Sequence, residues 1–260
     1  MSQLKDAILA TTANGDKAFV PYIMAGDGGL EKLQSTILKL QELGVTAIEV
    51  GIPFTDPVAD GPTIERAGER ALANGTTLRK VIETLAGFAS EIKVPLVAMT
   101  YLNPILAYGV EQFAQDASAA GIRGVIIPDM PLEEKDIIHP ALQEANIALI
   151  QLVSLTSTPE RVERLTKASE GFIYAVTVNG ITGARSSFAN ELEEHFAKIQ
   201  DYTDTPVLAG FGISSPDHVK SFGAFCSGVI VGSKIVDSLA NDDWATIEEL
   251  VLASKVATVR

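Results

Sequence analysis

The segment AFVPYIMAGDGGLEKLQSTILKLQELGVTAIEVGIPF, residues 18–54, decides the fold. It opens on a β-rich apolar run, AFVPYIMAG from Ala18, and passes into LEKLQSTILKLQELG, where apolar residues recur at helical spacing. A second apolar run, AIEVGIPF from Ala47, follows, and Gly44 stands where the helix between them should stop. Strand, helix and strand in this order predict a parallel pair joined by a crossover.

The unit repeats along the chain. VPLVAMTY from Val94, GVIIPD from Gly124 and IALIQLVS from Ile147 are further runs, followed by FIYAVTV from Phe172, PVLAGFGI from Pro206 and GVIVGS from Gly228. The intervals are too long for hairpins and contain helical segments such as PERVERLTKAS. Thr158-Pro159 and Ser215-Pro216 each set a capping residue before a proline at the first helical position, and Gly121 marks another helix stop. Strands apolar along their whole length suit a sheet covered on both faces. Eight such units can form an open doubly wound sheet or close into a barrel. No G-x-G-x-x-G opens the first helix, which disfavours the dinucleotide-binding open sheet. The expectation is an α/β protein, a single (βα)8 TIM barrel spanning residues 1–260 as one domain. The leading MSQLKDAILATTANG adds a short amphipathic helix in front of it and does not read as a signal peptide.

The 260 residues are 47% hydrophobic and 20% charged, enough to bury a full core. A formal net charge of -13 repels nucleic acid and anionic membrane, so neither is an expected partner. No run is long enough to cross a bilayer, and the expected location is cytoplasmic. Cys226, the single cysteine, excludes a disulfide framework and reads as a buried, inert thiol beside Phe225 and Val229.

In a barrel, chemistry sits where the strands end. Alternation through Ala47-Ile48-Glu49-Val50-Gly51 turns Ile48 and Val50 toward the helices, and Ala47, Glu49 and Gly51 into the barrel. An enclosed carboxylate costs several kcal/mol unless it is paired, protonated or used. Glu49 is therefore either satisfied by hydrogen bonds in the barrel or an acid/base group of raised pKa. The following loop, GIPFTDPVADGPTIERAGERAL from Gly51 to Leu72, carries Asp56-Pro57 and Asp60-Gly61-Pro62. Turn chemistry accounts for both aspartates, but Asp60 is also close enough in sequence to share acid and base duties with Glu49. The small residues of AGFGIS (Ala209–Ser214) and VGSKIV (Val231–Val236) suit a phosphate cradled by backbone N–H groups at a helix start, with Lys234 either contributing charge or solvated. VTVNGITGARSSF, Val176 to Phe188, reads as a mobile lid or an ordinary surface loop. His139, His195 and His218 fall on helices or helix starts, away from the strand ends. No metal-ligand spacing occurs, Ser/His/Asp hydrolase patterning is missing, and no lysine faces inward at a strand's C-terminal end, since Lys93 precedes its strand. Acid/base chemistry on a phosphorylated substrate remains.

IEVGIPFTDPVADGPTIERA resembles the signature of the tryptophan synthase alpha subunit family. AFVPYIMAGD, YLNPILAYG (Tyr101–Gly109), IIPDMP (Ile126–Pro131), GITGAR (Gly180–Arg185) and AGFGIS extend the resemblance over nearly the whole chain in order. It implies a lyase that splits indole-3-glycerol phosphate into indole and glyceraldehyde 3-phosphate in tryptophan biosynthesis. Glu49 and Asp60 would be the catalytic carboxylates, with Tyr174 beside them and Thr182 in the lid engaging Asp60. Phosphate would lie around Gly183, Phe211, Gly212, Gly232 and Ser233, and Tyr22, Ile64 and Thr100 would line the indole pocket. It further implies no cofactor in this chain and a pyridoxal-phosphate beta-subunit partner in an alpha2beta2 complex. That partner would dock on the catalytic end of the barrel through Pro53, Asp56 and an Asn103–Tyr108 loop. The chain departs from the family at Tyr22, often Phe, and at Glu65, where Gln is expected. Another phosphate-binding barrel enzyme, a stand-alone lyase sharing the site, and a non-catalytic allosteric barrel are the remaining readings.

Overall fold

A computed structural model describes residues 2–176, 185–210 and 212–256, with backbone only over 185–191. Helix α1 (Gln3–Ala13) precedes β1 (Ala18–Met24), α2 (Leu33–Glu42) and β2 (Ile48–Gly51). Two helices, α3 (Pro62–Ala73) and α4 (Leu78–Gly87), lead to β3 (Leu96–Met99), and two more, α5 (Leu102–Tyr108) and α6 (Val110–Ala119), lead to β4 (Ile122–Ile126). Next come α7 (His139–Glu144), β5 (Ala148–Ser154), α8 (Pro159–Ala168), β6 (Ile173–Val176) and α9 (Arg185–Gln200). The chain closes with β7 (Val207–Gly210), α10 (Pro216–Gly223), β8 (Gly228–Val231), α11 (Ser233–Ala240) and α12 (Trp244–Leu252). The strands form a closed barrel in sequence order, every neighbouring pair parallel, with β8 returning to β1 through Ala18↔Gly228 to Pro21↔Val231. The open-sheet alternative is thereby excluded, and each expected strand is present to within three residues of its ends.

Strand alternation sorts the apolar residues into two layers. Phe19, Ile23, Ile48, Val50, Leu96 and Ala98 belong to the layer between strands and helices, whereas Val20, Ala47, Val97, Ile150, Leu208 and Ile230 fill the barrel. The expected side for each residue of 47–51 is the observed one. The capping signals hold as well. Thr158 Oγ1 accepts from the N–H of Arg161 at 3.3 Å, and Ser215 Oγ from that of His218 at 3.2 Å. Gly44 and Gly121 follow α2 and α6 with φ of 79° and 91°, a conformation that spares glycine the Cβ clash. Cys226 is buried, its thiol bonded to the carbonyls of Phe222 and Gly228 and pushed up to about 11 by burial.

One element differs from expectation. Residues 103–108 are helical, within α5, not a loop. Pro104 falls in the first turn, where no backbone N–H needs an intrahelical partner, so it does not break the helix. Gly109, at φ 96°, ends it.

Helix α1 stoppers the barrel. Leu4 and Ile8 are fully buried and join the interior layer. Glycines make room, since a Cβ on Gly124 or Gly171 would come within 2.8 Å and 2.9 Å of a Leu4 methyl. Leu4→Ala should therefore open a cavity under the barrel and cost about 2–5 kcal/mol. Urea unfolding followed by circular dichroism should show a lower midpoint at unchanged slope.

Candidate active site

Glu49 lies in the middle of β2, in register with Tyr22 on β1 and Val97 on β3. It is 1% exposed, and neither carboxylate oxygen has a hydrogen-bond partner among the described residues. Of the two readings open from sequence, hydrogen-bond satisfaction in the barrel is not what the described residues provide. Burial first, and then the charge of Asp60, raise its pKa from 4.5 to about 8, so at pH 7 Glu49 is mostly a neutral acid.

Asp60 is half-buried in the loop after β2. Its backbone is part of a turn, the N–H bonded to the Pro57 carbonyl at 3.0 Å, while its side chain accepts from the Tyr101 hydroxyl at 3.2 Å. The turn read from sequence is present, and the Asp60 side chain is bonded to Tyr101 and not to the turn itself. Burial raises its pKa from 3.8 to about 6, opposed by the Tyr101 hydrogen bond and reinforced by the charge of Glu65. Asp60 is therefore the mainly ionised member of the pair at pH 7.

Tyrosines enclose the carboxylates. Burial raises the pKa of Tyr22 and Tyr174 far above the ordinary value, and the negative charge of Glu49 adds to both. Each ring leans over a glycine on the next strand. A Cβ on Gly51 would lie 1.9 Å from the Tyr22 hydroxyl oxygen, and one on Gly210 would lie 2.2 Å from the Tyr174 ring. Ile64, from the first turn of α3, packs with Tyr22, Met24 and Ala67, and Met99 packs against the same group. Gly232 abuts this wall, its missing Cβ 3.9 Å from both Ile64 and Tyr22. It caps α11, which begins at Ser233, so a helix N-terminus opens beside the apolar pocket. Gly212, after β7, has φ 77°.

Two expected contributions are placed differently. Thr100 is fully buried, but it shares the parity of Leu96 and Ala98, which face the helices, and its hydroxyl has no hydrogen-bond partner among the described residues. Met99, one residue earlier, reaches the interior and the Tyr22–Ile64 wall instead. Pro53 is buried and offers little surface to a partner, whereas Asp56, Asn103, Leu106 and Ala107 are exposed. Thr182, Gly183 and Phe211, and residues 180–184 of the expected lid, lie outside the described residues. Tyr101 was not singled out from sequence as a site residue, although it holds Asp60. Its position one residue past the helix-facing Thr100, at the C-terminal mouth, was the available signal.

A groove of about 940 Å³ between Gly26, Lys39, Arg70 and Trp244 is lined by neither carboxylate. Chemistry here follows the titratable groups, which converge at the barrel mouth. No group of three His, Cys, Asp or Glu among the described residues could hold a metal, and no described helix is long and apolar enough to cross a membrane.

A closed (βα)8 barrel with two carboxylates of divergent pKa at its C-terminal mouth defines an acid/base enzyme of the TIM-barrel class. Comparison with known proteins narrows this. The sequence model described as tryptophan synthase alpha chain matches residues 9–258, and the chain belongs to that family. It is 52% identical over 250 residues to the tryptophan synthase alpha chain of a Bacillus cereus strain, covering 96% of this chain and 97% of the relative. A Bacillus anthracis alpha chain is 50% identical over the same coverage. Among solved structures, a Mycobacterium tuberculosis tryptophan synthase superposes with a TM-score of 0.90 at 35% identity, covering 98% of this chain and 99% of that one. The alpha subunit from Legionella pneumophila superposes at 0.88 and 31% identity, covering 97% and 98%. The chain is accordingly a lyase of tryptophan biosynthesis, cleaving indole-3-glycerol phosphate.

The Glu49 environment sets a pH signature on stability. A folded pKa of about 8 against an unfolded value near 4.5 means that the native state holds a proton the unfolded chain releases, so this group's contribution is lost as pH rises from about 4.5 through 8. Glu49→Gln, which stays neutral, should match wild-type stability near pH 4.5 and exceed it increasingly up to pH 8. Urea titrations at several pH values check this, and a gap that does not grow with pH contradicts it.

Proposed function

We propose that Glu49 and Asp60 carry the retro-aldol cleavage as a neutral acid and an anionic base-side partner. The observation that supports this division is the separation of their pKa values, about 8 and about 6, by unequal burial. Neutral Glu49 protonates indole C3 and gives the indolenine. Asp60 accepts the hydrogen bond from the indole N–H and stabilises the positive charge developing there. The Glu49 carboxylate then takes the proton of the adjacent glycerol hydroxyl. The carbon–carbon bond breaks, its electrons restore the indole ring, and the aldehyde departs as glyceraldehyde 3-phosphate, with Glu49 protonated again.

Tyr22, Ile64 and Tyr174 line the indole pocket, with Met99 in the place first assigned to Thr100. The phosphate is held by backbone N–H groups near Gly212, Gly232 and Ser233, where the α11 terminus favours an anion. Gly183 and Phe211 complete that cradle, and Thr182 engages Asp60 from the lid. The chain needs no cofactor of its own. Its partner is a pyridoxal-phosphate beta subunit in an alpha2beta2 assembly, docked over Asp56 and the exposed side of α5, in the cytoplasm. The whole chain acts as one barrel domain.

Single-turnover indole release tests the pair. Glu49→Gln should lower the rate by ~10²–10⁴ while substrate binding survives, and Asp60→Asn should also cripple it. In wild type, kcat/KM should be bell-shaped, with limbs near pH 6 from Asp60 and near pH 8 from Glu49. Near-normal release from Glu49→Gln ends the assignment. Co-sedimentation with the cognate beta subunit checks the partner, and its absence would favour a stand-alone lyase.

A further inference from the structure

Ten residues, 52–61, separate the end of β2 from the start of α3 in the stretch that delivers Asp60, and none of them belongs to a helix or strand. Such a segment needs an external hold if its carboxylate is to keep one position. Tyr101 supplies three. Its ring stacks on Phe54 at the start of the stretch, centroids 5.1 Å apart and planes 29° apart. At the far end, its hydroxyl accepts the Ala59 N–H at 3.1 Å and donates to Asp60 Oδ1 at 3.2 Å. Tyr101 itself is 3% exposed and anchored at the end of β3, where the next N–H, of Leu102, is bonded to Asp129.

We propose that Tyr101 is a positioning residue for the reaction: a clamp that ties both ends of the 55–60 loop to the barrel and aims the Asp60 carboxylate at the substrate. The inference rests on the catalytic reading of Asp60 given above. The donor and acceptor roles of one hydroxyl reinforce each other, because accepting the Ala59 N–H polarises the O–H that Asp60 receives. The same bond favours the ionised carboxylate against burial and against the negative charge of Glu65 on α3. Glu49 and Tyr22, on β2 and β1, and Asp129, after β4, are further titratable groups facing this cluster among the described residues. The clamp also stands at the N-terminus of α5, whose outer residues Leu106 and Ala107 are exposed, so it joins the loop to the helix next to it.

Tyr101→Phe keeps the ring and its stack and removes only the hydroxyl. It should melt close to wild type, lower single-turnover indole release at pH 7 about tenfold with KM within about twofold, and shift the acid limb of kcat/KM to higher pH. On an Asp60→Asn background it should cause little further loss, since the two act as one unit. Phe54→Leu, which loosens the stack but spares the hydroxyl, should lower the melting temperature and leave the acid limb in place. A wild-type rate and acid limb in Tyr101→Phe, beside a crippled Asp60→Asn, would overturn the clamp alone. Equal limb shifts in Tyr101→Phe and Phe54→Leu would assign the effect to packing and overturn it too. Full activity in Asp60→Asn would overturn the reading of Asp60 and the clamp together.

Discussion

Inside the closed ring of strands, the Glu49 carboxyl has no hydrogen-bond donor among the described residues and almost no contact with solvent. Taking an ionised carboxylate out of water without a partner costs several kcal/mol, and the group avoids that cost by holding its proton. The consequence is a carboxyl group that keeps its proton at neutral pH. Everything around it maintains that condition: apolar strands below, α1 closing the base, and tyrosine rings with their own raised pKa values beside it.

A few residues without side chains make the arrangement possible. Gly51 and Gly210 give way to the Tyr22 and Tyr174 rings, and Gly124 and Gly171 to Leu4. The barrel is therefore tightest where α1 enters and where the tyrosines cross over their neighbours. A Cβ at any of these places would meet a ring or a methyl at under 3 Å, a separation that packed interiors do not tolerate. Close packing at the base and aromatic walls at the mouth keep water from the acid.

Much of this was legible in the chain. Period-2 alternation is a local property, and from sequence alone it places Ala47, Glu49 and Gly51 inside and Ile48 and Val50 outside. Repeated strand–helix units fixed parallel pairing, and Ser, Thr and Gly at helix ends marked the caps. What could not be read was non-local or depended on a single step of register. Thr100 and Met99 are adjacent, and a one-residue slip exchanges pocket for helix layer. The helix over 102–108 was hidden by Pro104, which is harmless only because of where the turn begins. The Tyr101–Asp60 bond joins residues 41 apart in sequence, and no motif spacing announces it.

Asp60 shows why the second carboxylate is built differently from the first. Glu49 sits on a strand, so the barrel fixes its direction without help. Asp60 sits on a loop, where fixing a side chain costs entropy that only specific contacts can offset. Loops are also where a partner or a substrate can act, since their position is set by few interactions. In the proposed mechanism the rigid acid and the tethered base-side group thus divide the work along the line between scaffold and loop. A proton donor benefits from an unchanging, dry setting. A group that, on the proposed mechanism, meets the indole N–H as it arrives benefits from a hold that can be tightened, and the Tyr101 hydroxyl, bonded to the backbone on one side and to the carboxylate on the other, is the hold this structure offers.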